Sequence, residues 1–326
     1  MNFTRRSMSA VLLATSASLV FPQTGLAQEY PTRPIELIVP WSAGGGTDAT
    51  GRMVAELLSR ELGQPVNVVN RAGGGGVVGH TEIANADADG YTLGVITTEL
   101  SMFNHAGTAP ITYADFDPIA LYNQDPVALH VAASSDVTDA ASLIAAISSA
   151  PGSMNASGAN FGGVAHLGLV GFLVANGLAP DAVVWIPSEG SAPSLQEMAA
   201  GTVQIVSTTL PEASSMVDAG EARVIGVLAD ERLGSNSDVP TMAEQTGNPA
   251  SFGAWRGIAG PDGMPNDVIA RLSDAMAVVV ADPAFTEFMA GRGFGISFAA
   301  ADDFTSFLEN RDTSFGTAMS AAGLSQ

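Results

Sequence analysis

"VPWSAGGGTDATGR", residues 39–52, carries the first decision about this chain. The apolar run "PIELIVPW" (34–41) stops and three glycines follow. Asp48 then opens a segment in which Met53, Val54, Leu57, Leu58 and Leu62 recur at helical spacing up to Gly63. Strand, glycine loop and helix in that order make a βα unit. A helix start carries unpaired N–H groups and the positive end of the helix dipole, and glycines let an anion come close to both. Thr47 or Asp48 can cap such a start. A glycine-rich connection with nothing bound fits the same letters, so this loop alone leaves both readings open.

Working outward, the pattern repeats. "PVNVVN" (65–70) and "YTLGVIT" (91–97) read as strands around a short helix at 76–86, which gives β-α-β-α-β and the start of a parallel sheet. The run 118–134 is extended and interrupted at Asp125-Pro126. After it, "TDAASLIAAISSA" (138–150) is a helix. A second glycine loop, "ASGANFGGVAH" (156–166), again joins a strand to a helix. Strands at 182–187, 202–208 and 222–230 alternate with a helix at 194–201. "FGAWRGIAGP" (252–261) is extended, and helices follow near 265–281, 283–291 and 301–322. Two α/β units of similar build result, with 118–134 and 252–258 as crossovers and the C-terminus returning to the first unit.

Absences narrow the function. The 326 residues contain no Cys, and all 12 basic residues are Arg. Without Cys there are no disulfides or thiolates. Without Lys there is neither a Walker-type phosphate loop nor a Schiff base. The formal net charge of −21 speaks against nucleic-acid binding, which needs basic residues on phosphates. The N-terminus has the parts of an export signal: Arg5 and Arg6, an apolar run over 8–21, and the small residues "GLA" at 25–27. The run is shorter than the roughly 20 residues of a spanning helix. "TRRSM" fits a twin-arginine signal as well as the ordinary secretory route. Cleavage before Gln28 leaves 33 acidic against 10 basic residues, or −23. Arg71 and Arg256 are the cations that a local basic patch could draw on to attract an anion.

Several motifs compete. Gly74-x-Gly76-x-x-Gly79 matches the dinucleotide fingerprint, follows a strand, and has Glu99 at the distance of a ribose-binding acid. It also lies among four consecutive glycines before a short helix, where chance matches are easy. "NADADG" (85–90) opens like a calcium loop, but Ile96 stands at the twelfth position. His80, His105, His130 and His166 lack metal-ligand spacing, and there is no G-x-S-x-G.

The ordered set "YPTRPIELIVPWSAGGGTDATGR", "LGQPVNVVNRAGGGGVVG", "ADADGYTL", "AHLG", "GSAPSLQEMAAGTVQ", "LPEA", "DVPTMAEQTG" and W-x-G-x-x-x-P resembles the periplasmic receptors of tripartite tricarboxylate transporters, also called Bug-type receptors. The resemblance covers essentially the whole mature chain. It implies an α/β, two-domain periplasmic-binding-protein (Venus-flytrap) fold. Each domain is then a mostly parallel sheet flanked by helices, with two crossover strands as hinge. Residues 28–123 plus 251–326 would form domain 1, 124–250 domain 2, and 1–27 the signal peptide. The implied role is non-catalytic, without cofactor or metal: a monomer in the periplasm captures a small organic carboxylate and delivers it to a large and a small integral-membrane permease subunit.

Family ligands are held by backbone amides and waters. Carried over to this chain, the site comprises Trp41, Ser42, Ala43, Gly44, Gly45 and Asp48 of the first loop, with Asp48 orienting a water or capping the helix. The second domain supplies Ser157, Gly158, Asn160, Gly162 and His166, while Thr97, Thr98 and the loop 208–211 with Thr208 and Thr209 line the cleft. The chain departs from the family at Ala43, where many members have Pro, and at Ser188 and Glu189 in "PSEG" (187–190), where many have Tyr-Lys-Gly. The loop 156–166 is also about one residue longer. Two other readings stay open beside this one: an exported NAD(P)-dependent oxidoreductase built on Gly74, Gly76, Gly79 and Glu99, and a solute receptor serving signalling.

Overall fold

The computed structural model describes residues 30–233, 236–321 and 323–325. The signal segment read at 1–27 lies outside the described residues. In chain order the first elements are β1 (Ile35–Val39), α1 (Gly46–Leu62), β2 (Val66–Asn70), α2 (Val77–Ala84) and β3 (Thr92–Thr97). The long β4 (Phe116–Ala132) leads to α3 (Ala140–Ser149), β5 (Asn155–Ser157), α4 (Val164–Ala175) and β6 (Val184–Trp185). Next come α5 (Ser191–Ala199), β7 (Ile205–Thr209), α6 (Leu210–Asp218), β8 (Ala222–Val227) and α7 (Met242–Thr246). The chain ends with β9 (Gly253–Pro261), α8 (Asn266–Ala281), α9 (Pro283–Arg292), β10 (Ile296–Ala300) and α10 (Ala301–Ala321).

Two sheets share β4. In the first, β2, β1 and β3 run parallel, β9 pairs antiparallel with β3, and β4 pairs antiparallel with both β9 and β10. In the second, β6, β5 and β7 run parallel, and β4 pairs antiparallel with β7 and β8. Each sheet is therefore parallel on one side and antiparallel around β4, with β10 and β8 as the antiparallel edges.

Asp125-Pro126 does not interrupt β4; it marks the place where the strand changes partner. Pro126 pairs with Gly253 in the first sheet, and Val127 pairs with Thr209 in the second. Proline lacks a donor, so it suits a position where ladder bonding changes hands. The crossover is pinned at Phe252, which accepts from Val127 N–H (2.8 Å) and donates to Leu228 C=O (3.0 Å).

β1 is buried on both faces, as a parallel strand between helix layers must be. Leu37 and Val39 pack in one core with Val54, Leu57 and Leu58 of α1. Burying Leu58 alone contributes about 1.5–3 kcal/mol. Gly63 ends α1 at φ 68°, the left-handed C-terminal position that glycine adopts without strain. Sequence reading missed α6, α7 and β10, and it began α5 three residues too late. β10 is a short, half-exposed edge strand that pairing with β4, rather than its own pattern, holds in place. No helix among the described residues is long and apolar enough to cross a membrane.

Candidate functional site: a cleft at the carboxyl ends of the strands

The loops that leave β1, β3, β5, β6 and β7 at their carboxyl ends converge on one cleft. Its volume is about 590 Å³, the open mouth included. The cleft lies between the two sheets, with Val127 of β4 and Ala254–Arg256 of β9 at its back. Residues of four helix starts line it: Gly46 and Thr47 of α1, Val164 and Ala165 of α4, Ser191–Pro193 of α5, and Thr209 before α6. The N-caps of α1, α4 and α5 are Gly45, Gly163 and Gly190, and none makes a side-chain cap bond. Three helix starts thus turn N–H groups and dipole ends toward the cleft, that of α4 beside the Glu99 carboxyl. α6 differs, because Glu212 caps it: one carboxylate oxygen accepts from the Thr208 hydroxyl and, at 3.4 Å, from Thr209 N–H.

The two halves meet across this cleft. Ser42 N–H donates to Glu189 C=O at 3.4 Å. Arg256 is the central tie and is only 3% exposed. Its Nε donates to Thr47 Oγ1 (3.0 Å), Nη1 to Asn123 Oδ1 and Asp125 Oδ2 (3.1 Å), and Nη2 to Glu212 Oε1 (2.6 Å). It is therefore a buried cross-link with four of its five N–H groups engaged, and not part of a basic approach patch. Arg71, the other candidate for that patch, is paired with Glu82 on the surface.

Of the residues named from sequence, Trp41, Ser42, Gly45, Thr97, Thr98, Gly158, Thr208 and Thr209 line the cleft. Trp41 Nε1–H donates to Thr97 Oγ1 (3.3 Å), whose hydroxyl donates to Glu99 (2.8 Å). The others stand behind or beside it. Ala43 and Gly44 form the exposed loop tip. Asp48 faces inward: it accepts from Gly44 N–H, Asn70 and Arg52. Burial opposes its charge, but these hydrogen bonds prevail and hold the carboxyl below the usual range. Asp48 thus shapes the loop that presents the α1 start.

Ser157 donates to Ile186 C=O (2.8 Å) and contacts Ser194 (3.0 Å), joining the loops of β5 and β6. His166 accepts on Nδ1 from Gly162 N–H (3.0 Å) between the rings of Phe161 and Trp185. Burial pushes its imidazole down to about 4. Asn160 seals the rim: a Cβ on Gly75 would come within 2.1 Å of it. The second half therefore packs on Gly75 of the dinucleotide-like loop, while Gly74 stays exposed. Its Gly79 packs inside α2 against Pro40, and Glu99 sits buried in the cleft.

Sequence reading did not assign Glu189–Pro193, Glu212 or Arg256 to this site. Two signals were available. Gly190 with Pro193 in the following turn marks a helix start, and Thr209-Leu210-Pro211-Glu212 is a capping-box sequence. Among the described residues, no group of three His, Asp or Glu is placed to hold a metal ion.

Gly158 is irreplaceable on steric grounds. A Cβ there would lie 2.1 Å from Ser207 C=O and 2.9 Å from Ala165 Cβ. Gly158→Ala should cost about 1–3 kcal/mol by overpacking. The measurement is the urea midpoint, and an unchanged midpoint would show that the loop yields freely.

With this geometry, comparison with known proteins is informative. Residues 50–324 match the model of the tripartite tricarboxylate transporter family receptor. A UPF0065 protein of Bordetella pertussis is 30% identical over 314 residues, 96% of each chain. Among solved structures, R. palustris Rpa4515 with adipate superposes with a TM-score of 0.85 at 27% identity, covering 91% of this chain and 99% of that one. MatC (Rpa3494) from Rhodopseudomonas palustris with bound malate gives 0.82 at 25% identity, covering 89% and 99%. The fold is that of a periplasmic binding protein, two sheets around a cleft and joined by the shared strand β4. The chain belongs to the tripartite tricarboxylate transporter receptor family.

Proposed function

We propose that this protein is an exported receptor that captures a small organic carboxylate and passes it, chemically unchanged, to the large and small membrane subunits of a tripartite tricarboxylate-type transporter. The observation that carries this reading is the convergence of three helix starts without side-chain caps, α1 and those of α4 and α5, on one cleft from both halves. Relatives with adipate and malate support the ligand class. The binding residues are the cleft-lining members of the sequence-derived set, while Asp48, Ser157, Asn160, Gly162 and His166 position their loops. Domain 1 (28–123 and 251–326) and domain 2 (124–250) move about β4 and β9, with the hinge at Pro126/Val127 and Phe252/Gly253. The protein acts as a monomer and is exported by its N-terminal signal.

A thermal-shift screen with adipate, malate, citrate, a neutral sugar and NADH tests this. An acid at 100 times its dissociation constant adds about 2.7 kcal/mol, enough to raise the midpoint by several degrees. A response to NADH alone would replace the receptor reading with the nucleotide one.

A further inference from the structure

The charge inventory of the cleft does not match a ligand that is anionic throughout. Among the described lining residues Arg256 is the one cation, and Glu99, Glu189 and Glu212 are the acids. Arg256 already faces two carboxylates, Asp125 and Glu212, and its donors also serve Thr47 and Asn123. Four of its five N–H groups are thus engaged, which leaves one Nη2–H. Arg52 and Arg71 are committed to Asp48 and Glu82.

Glu189 lies on the loop between β6 and α5, where its backbone C=O is tied to Ser42 N–H across the cleft. Its Oε2 is buried and has no hydrogen-bond partner. Thr209, at the head of the α6 capping box, is 1% exposed and lines the same cleft. Glu99 is 5% exposed, accepts from the Thr97 hydroxyl and lies against the Val164 N–H at the α4 start. Burial pushes its carboxyl above the ordinary range in spite of these contacts. A buried carboxylate oxygen without a donor is costly, and the cost is recovered when a ligand supplies N–H groups. An ammonium is the fitting group, with three donors and the opposite charge.

We propose that the cargo carries a protonated amine as well as a carboxylate, with Glu189 as the specificity-determining partner of the ammonium and the helix starts holding the carboxylate. This rests on the receptor reading above and narrows its ligand class from organic acids to zwitterionic ones.

Calorimetric titration of the purified protein with matched pairs tests the idea: succinate against aspartate, glutarate against glutamate, and adipate against 6-aminohexanoate. The amino-bearing member of at least one pair should bind at least tenfold more tightly than its diacid. In Glu189→Gln that preference should collapse, through weaker binding of the amino-bearing member and unchanged or tighter binding of the diacid, with the ligand-free melting point retained. Equal or tighter binding of every diacid would overturn the ammonium proposal and leave the receptor reading standing. A preference that survives Glu189→Gln would overturn the role of Glu189. Binding by no member of any pair would overturn both readings.

Discussion

Arg256→Met should remove about 3–5 kcal/mol of unfolding free energy, the usual cost of leaving buried charges without their partner. The guanidinium is 3% exposed and holds Asp125 of β4 and Glu212 of α6, with Thr47 at the α1 start and Asn123 beside them. Its loss strands two carboxylates in a desolvated site and removes the strongest tie between the halves. Arg256→Lys should recover only part, because one ammonium cannot reproduce a planar fork serving four acceptors. Adding Glu212→Gln to Arg256→Met should restore part of the loss, since one stranded charge is then gone. Urea unfolding of the single and double variants measures these differences. A loss below about 1 kcal/mol for the single variant would place the network with surface pairs of little worth.

The second large effect is acid destabilisation. His80 and His130 are fully buried, and burial pushes both imidazoles down to about 4 from 6.5. Each must stay neutral in the fold. His80 Nε2 accepts from Thr97 N–H (3.1 Å) while Nδ1 meets Gly76 C=O (2.8 Å), and His130 Nε2 has no partner. A depressed folded value means that, between about 6.5 and 4, the unfolded chain binds protons the folded chain refuses. Stability is therefore full above 6.5 and falls as pH drops toward 4, by about 2 kcal/mol per histidine at pH 5. Glu99 and Asp125, raised by burial, act in the opposite sense and offset part of this. The clean readout is a difference. His130→Leu should lose about 2 kcal/mol less than the wild type between pH 7.5 and pH 5 in denaturant titrations. Identical pH dependence in the two proteins would contradict the burial argument.

Residue order alone settled much of this protein. Apolar runs of strand length, helical spacing such as Val54, Leu57 and Leu58, and glycines at each strand-to-helix step specified two α/β units, because those signals are local. They also located the α1 and α4 starts, since a glycine loop before an amphipathic run is a contiguous feature. Tertiary structure decided the rest. Pro126 reads as an interruption until the pairing shows β4 passing from one sheet to the other. Asp48 reads as a helix cap or a water-orienting group and His166 as a cleft residue, and tertiary structure shows which backbone each serves: the loop N–H groups of Gly44 and Gly162. Arg256, Glu212 and Glu189 come from three distant segments, and only folding brings them to one cleft. Whether a charged group is free for a ligand depends on which partners arrive beside it, and partners far apart along the chain leave no local trace in its order.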